Sequence, residues 1–400
     1  MLRSIYGIFL LLLLSGMQVC AADWPYFLGP GRDGISPETG TNKTWKTRAP
    51  KVLWKIPMGD QGYAGPSVAG NVLYIIDHAG DQDIVRALSL ASGKMIWEYR
   101  YKDAAGNNYG FTRSTPAVAG GKVYTVSRLG LVLCLNAKSG KKIWSRSLVK
   151  DLGGRKPTWD YSMSVLIDGK KVIVVPGAGK GTVAALDAAT GRTLWQGGGG
   201  DIPGYATPVL ATINKVRQYV VFTGKSLIGV DPNNGKLLWR CPWDTTHDVN
   251  AAAPIVSGNR IFITSDYGKG CALVEVTGKT AKIKWQHRSI QSHFSTPILS
   301  NGFLYSTSDP NKLVCMEFAT GKVRWEQRGF EKGGVSAVDG VLLAFEGNTG
   351  NLVMVKMTPA GYQELGRIRP LGGQSWTAPV IANGKLIVRN QKSLACLTLK

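Results

Sequence analysis

Seven positions in this 400-residue chain share one spacing. Tyr63, Arg113, Ser162, Tyr205, Ala251, Phe294 and Trp376 stand three residues ahead of Pro66, Pro116, Val165, Pro208, Pro254, Pro297 and Pro379. Trp159 and Tyr161 lie just before Ser162, and His293 adjoins Phe294. Aromatic rings with one guanidinium are binding chemistry. At a concave site they suit sugars, peptide side chains or a flat cofactor, and otherwise they serve as wedges that pack the links. The ligand-binding candidates are Tyr63, Arg113, Trp159, Tyr161, Tyr205, His293, Phe294 and Trp376.

Catalytic chemistry is fainter, and no catalytic residue is assigned. Asp77, Asp81 and Asp83 form the tightest acidic group. A hard cation needs six or more converging oxygens, so this group reads as a solvated hairpin turn. Pro176 to Thr182 (PGAGKGT) looks like a phosphate loop, but its spacing fails and a strand follows it, so it reads as a hairpin turn. His78, His247, His287 and His293 lack metal-ligand spacing. A G-x-S-x-G nucleophile signature is missing from the sequence.

The elements that must position these residues repeat. Ala185 to Trp195 reads ALDAATGRTLW, and Ala87–Trp97, Cys134–Trp144, Gly229–Trp239 and Cys315–Trp325 are variants of it. Trp54, Trp97, Trp144, Trp195, Trp239, Trp285 and Trp325 recur at intervals of 40 to 46 or, twice, 47 and 51 residues, with Ile368 in the eighth slot. A period of about 45 residues with short apolar runs is that of a four-stranded propeller blade. In Ala185–Trp195 the Asp187 carboxylate caps a tight turn, Gly191 supplies the positive φ, and Trp195 wedges between blades. Gly278 to Trp285 carries an insertion, and Thr358 to Gly361 makes a long return towards Ile368. The seam beside Ile368 is therefore expected to be the weakest.

The last unit has three strands, and Val52 to Ile56 is a surplus strand at the other end of the chain. The expected fold is all-β: a single eight-bladed β-propeller of four-stranded antiparallel blades, its ring closed by the N-terminal strand. The blades fall at about 61–100, 108–148, 158–198, 204–242, 247–290, 291–329, 331–370 and 372–400 plus 51–58. Residues 23–50 form an extended leader lying over the disc. The link residues should ring one mouth of the central channel. The opposite face collects basic turns, including Lys94, Lys122, Lys141, Lys170, Arg192, Lys236, Arg260, Lys279, Lys322 and Lys385. With a formal net charge of +22, such a face attracts anionic surfaces.

Residues 1–22 read as an export signal: Arg3, then an apolar run from Ile5 to Leu14, then small residues. A lipid anchor on Cys20 is not expected, because Val19 stands where a small residue belongs. The mature chain is expected to be periplasmic or secreted and monomeric. Export argues against nucleic acid as a partner. Cys134, Cys315 and Cys396 share a repeat slot that wants a small buried residue, so no disulfide framework is expected.

The [A/C/G]-L-D-x-x-T-G-K-x-x-W pattern resembles the tryptophan-docking repeat of the quinoprotein (PQQ) dehydrogenases and their non-enzymatic propeller relatives, among them a periplasmic lipoprotein of barrel assembly. The opening from Asp23 to Gly34, DWPYFLGPGRDG, is similar to that of exported PQQ-like repeat proteins of planctomycete-type bacteria. The resemblance covers about residues 23–400. For the enzymes it implies a quinone held between a tryptophan and a disulfide of adjacent cysteines, with Ca²⁺ on carboxylates. This chain has no Cys-Cys pair and lacks the enzymes' long insertions. The leading expectation is a non-enzymatic binding or scaffolding module with a protein or glycan partner in the envelope and no cofactor. The alternative is a divergent PQQ-dependent alcohol or sugar dehydrogenase, with PQQ and Ca²⁺.

Overall fold

A computed structural model describes residues 22–400. Nearly all of the expected export signal, and Cys20, lie outside the described residues. Eight antiparallel four-stranded sheets follow one another. Blades 1 to 7 span Ser67–Lys102, Ala117–Ser147, Leu166–Gly197, Val209–Pro242, Ile255–His287, Ile298–Arg328 and Val335–Ile368. Blade 8 takes its three inner strands from Val380–Thr398. Its outer strand is β2 (Val52–Pro57), with Trp54 opposite Cys396 and Ile56 opposite Leu394. The closure removes two open edges at once. The strands form because their residues are apolar on both faces. Val341–Glu346, for example, is buried at every position, as strands between packed blades must be.

The repeat's local chemistry is visible in blade 3. Asp187 Oδ1 accepts the amides of Ala189 and Thr190 at 3.0 and 2.8 Å, and Gly191 adopts φ +74°. Glycine is needed there for a second reason. A Cβ on Gly191 would stand 2.7 Å from the Trp144 ring. Six of the seven repeat-slot tryptophans lie on the next blade's turn and donate their indole N–H to that turn. Trp54, Trp97, Trp144, Trp195, Trp285 and Trp325 reach the carbonyls of Leu90, Ala137, Ala188, Pro232, Ala319 and Thr358 at 2.8–3.1 Å. Trp195 and Trp285 are half-buried rather than buried.

Two drifting units have structural answers. The insertion after Gly278 lengthens a hairpin, with Gly270–Thr277 paired to Thr280–His287 up to Thr277 opposite Thr280. That hairpin offers no docking turn, so Trp239 folds back to donate to Gln218 Oε1 within its own blade at 2.5 Å. In blade 7 the ladder sets Met354 opposite Gly366, where Ala185 faces Trp195 in blade 3. The eighth slot is thus Gly366, not Ile368. A Cβ on Gly366 would stand 2.6 Å from Trp45 Cβ, and Trp45, only 3% exposed, joins the core cluster of blades 7, 8 and 1. The leader supplies the missing tryptophan, because the glycine leaves room for it.

The leader is more than an extended cover. β1 (Ile35–Ser36) pairs in parallel with Ala337 and Val338, making blade 7 five-stranded. Trp24 bridges Val68, Arg32 donates to the Ile167 carbonyl at 2.7 Å, and the buried Glu38 accepts the Gly384 amide at 2.9 Å. It therefore crosses the basic-turn end of the channel. The acidic group in blade 1 is not a solvated turn. Asp77 and Asp83 are buried, Asp77 on Arg86 at 2.6 Å and the Gly59 amide, and only Asp81 is exposed. The five described cysteines are free and buried. Burial pushes the Cys134 thiol up to about 11 and that of Cys396 to about 12.

Candidate functional site

The links between blades emerge at the end of the channel opposite the leader. Buried polar side chains tie some of these links together from beneath. Arg128, 2% exposed, donates to the carbonyls of Gly106 and Gly110 and to Asp160 Oδ2, each at 2.7 Å. One guanidinium thus ties the link carrying Tyr109 to the link carrying Trp159. Asn250 does the same between blades 4 and 5, donating to the Thr223 carbonyl at 2.8 Å and accepting from Ser265 at 2.7 Å.

On this base stands a chain of aromatic rings around the mouth. Trp376 stacks on Tyr63 at 5.0 Å and meets Phe294 at 5.2 Å, and Phe294 meets His293 at 5.2 Å. It continues through Tyr267, His247, Trp159 and Tyr109 at centroid distances of 5.3, 6.0, 5.9 and 5.4 Å. Tyr109, His247 and Tyr267 hold φ of 59°, 56° and 57°. Left-handed backbone at a bulky side chain costs energy and clusters at functional sites.

Seven of the eight sequence candidates, Tyr63, Arg113, Trp159, Tyr205, His293, Phe294 and Trp376, line the cavity below these rings. Tyr161 does not. It is buried in the blade 2–3 core and donates to the Pro176 carbonyl at 2.8 Å, a wedge under the link. Tyr205 lies inside the mouth, accepts the Trp159 amide at 3.1 Å, and is pushed up to about 12 by burial. Sequence reasoning missed Tyr109, His247, Tyr267 and Lys332. They lie outside the repeated slot, on a long link, a one-turn 3₁₀ segment, a hairpin and a short link. The available signal for Tyr267 was an aromatic in a turn otherwise built of Asp, Gly and Lys.

The cavity, about 480 Å³, is lined from all eight blades. Trp24, Phe27 and Leu28 of the leader also line it, so the channel is a funnel with an apolar floor. Lys332 links its lip to Asp309 at 2.9 Å and Asp266 at 3.3 Å, and donates to His293 Nδ1 at 3.1 Å. His293 is therefore neutral; burial, then Lys332, pushes it down to about 4. Burial and its neighbour Asp266 push Asp309 up to about 6.

A family profile described as outer membrane protein assembly factor BamB matches residues 80–327, more than half of the chain. The chain belongs to this family of PQQ-like propellers. The outer membrane protein assembly factor BamB of Salmonella typhimurium is 24% identical over 78% of this chain and 81% of its own. BamB from Moraxella catarrhalis superposes with a TM-score of 0.65 at 17% identity, over 88% of this chain and 98% of its own. A quinohemoprotein alcohol dehydrogenase from Comamonas testosteroni superposes at 0.67 with 15% identity, over 94% and 80%. At such identities the structural likenesses speak for the fold alone.

The described residues do not fit a quinone–calcium centre of the implied kind. The cysteines are separate buried thiols, Asp266 and Asp309 already share Lys332, and no group of three or more His, Cys, Asp or Glu among the described residues is placed to hold a metal.

Proposed function

We propose that this protein is a non-enzymatic binding and scaffolding module of the cell envelope, exported to the periplasm as a monomer, that presents its aromatic mouth to a protein partner. The observation that carries this reading is the ring of aromatics from Tyr109 round to Tyr63. It is rigidly anchored, yet Tyr109 and Tyr267 are 62% and 45% exposed. Aromatics and arginine are the side chains that dominate protein interfaces. Exposed rings on strained backbone are costly to keep unless something binds them. Kinship with an assembly factor supports an envelope partner.

The test is photo-crosslinking in the native envelope from positions 109 and 267, with Lys94 on the opposite end as the control position. A discrete protein adduct from 109 and 267, absent from 94, is expected. Adducts only from position 94, or a glycan captured in place of a protein, would defeat the reading. A quinone recovered stoichiometrically from the native protein, with dye reduction on adding PQQ and Ca²⁺, would favour the dehydrogenase alternative.

A further inference from the structure

We propose that the funnel beneath the mouth binds a small monocarboxylic acid, its apolar body against the leader and its carboxylate on Arg113. This deepens the mouth reading and rests on it for the site, though not for the protein partner. Three features lead to it.

The first is size and polarity. A chamber of about 480 Å³ lies within the roughly 300–1,000 Å³ typical of small-molecule pockets. Its floor is Trp24, Phe27 and Leu28, and Pro66, Val335 and Val380 continue the apolar wall. An apolar body is matched there, and a polyhydroxylated one is not.

The second is the hydrogen-bonding capacity of the lining residues. The indole N–H of Trp376 and the hydroxyl of Ser295 are buried without a partner among the described residues, and both residues line the cavity. Ser164 and Thr207 accept the amides of Thr115 and Ser164 at 2.8 and 2.9 Å, which leaves their O–H protons to donate. An indole can only donate, and a hydroxyl with an amide on its oxygen has its proton left. The Ser295 hydroxyl can donate or accept, but the Trp376 indole and the Ser164 and Thr207 protons can only donate, so the free capacity is weighted towards donors and suits a ligand rich in acceptors.

The third is charge. Arg113 donates to the carbonyls of Trp159 and Asn108 and lies 3.5 Å from Ser162 Oγ, with no carboxylate among its partners. The nearby Asp160 is already engaged by Arg128 and Lys156, each at 2.7 Å. Burial, then the neighbouring Arg128, lowers Arg113 to about 10, so it stays charged at neutral pH but lacks a counter-ion. A half-buried cation left this way is costly until an anion arrives. Around the lip, Asp266 and Asp309 hold Lys332. They repel a carboxylate, so the anionic end is directed to the blade 2–3 side.

The test is calorimetric titration of the full chain with 4-phenylbutyrate and octanoate, each beside its uncharged primary amide. Charge-assisted hydrogen bonds are each worth about 1.5–3 kcal/mol, or roughly 10- to 100-fold. The acids should therefore bind at least about tenfold tighter than the amides. Arg113→Gln should abolish that difference while leaving amide affinity within about twofold. Should Arg113→Gln not fold, Ser295→Ala, which removes only a hydroxyl, is expected to weaken the acids about threefold or more.

Equal binding of acid and amide, or no saturable binding of either acid in the millimolar range, would overturn the proposal. A peptide with an apolar last residue and a free carboxyl end, binding more than about tenfold tighter than either acid, would replace the small ligand by a chain terminus. Calcium-dependent PQQ binding at the same site would replace it by the quinone. Loss of acid binding with the position-109 adduct intact removes this ligand alone, and the converse removes the scaffold reading alone.

Discussion

His78 shows how much one side chain holds. It is 1% exposed, and both ring nitrogens face acceptors: Nδ1 lies 2.8 Å from Asp83 Oδ1 and Nε2 2.8 Å from the Gly80 carbonyl. A ring that donates to both acceptors is an imidazolium. Burial alone would lower its pKa, but the bonds to Asp83 and Gly80, with Asp60 nearby, raise it above the usual histidine value. It stacks at 4.0 Å on Phe111, which lies on the link that carries Tyr109 and Arg113. A folded-state pKa raised above the unfolded value of about 6.5 gives stability that is complete below that pH and lost as pH rises through the folded value. Wild type should therefore lose melting temperature relative to His78→Gln on going from pH 6 to 9. Parallel curves for the two proteins across that range would rule the imidazolium out.

Among elements, the leader does most that the repeat cannot. Its Trp45 fills the seam where Gly366 replaces a tryptophan, and its Trp24, Phe27 and Leu28 close the funnel. The seam beside Ile368, expected to be weakest from the blade residues alone, is thus reinforced by a segment more than 300 positions away in sequence. Trp45→Ala should cost about 3–5 kcal/mol, as removal of a buried tryptophan does. Amide exchange should quicken selectively in Glu364–Ile368 and β2. A variant with wild-type denaturation would show that the seam stands without the leader. Blade 5 teaches the same lesson in reverse: lengthening one hairpin removes a docking turn, and Trp239 turns back to Gln218.

As a whole the molecule is a disc with two unlike ends. One is aromatic, with a funnel; the other carries exposed Lys94, Lys141, Arg192, Lys236, Lys279 and Lys322 around the leader. With net charge +22, the basic end should hold anionic lipid vesicles at low ionic strength and release them as salt shortens the Debye length below about 10 Å. Co-sedimentation with phosphatidylglycerol vesicles over a salt series checks this, and binding indifferent to salt would dismiss an electrostatic surface.

The sequence by itself determined the blades, their order, the closing strand and the ring of link residues. Each is set by contacts within one repeat or between equivalent positions of neighbouring ones, so periodicity reports them. Of the seven proposed residues that line the cavity, Tyr63, Arg113, Tyr205, Phe294 and Trp376 were legible because the link slot has a fixed offset from the first strand, and Trp159 and His293 because they are aromatic neighbours of that slot. Tyr161 was misplaced because it shares that spacing region but points into the core. Tyr109, His247, Tyr267 and Lys332 stand outside that slot, and apart from the aromatic in the Tyr267 turn no local pattern marks them, because they come together only when links of different blades pack side by side. The same holds for Trp45 on Gly366 and for Arg113 left without a carboxylate, while Asp77 and Asp83 are buried by neighbours within the first blade and the strand before it. Only the tertiary structure decided these, since burial and pairing across a closed ring depend on residues far apart in the chain, and no local pattern encodes them.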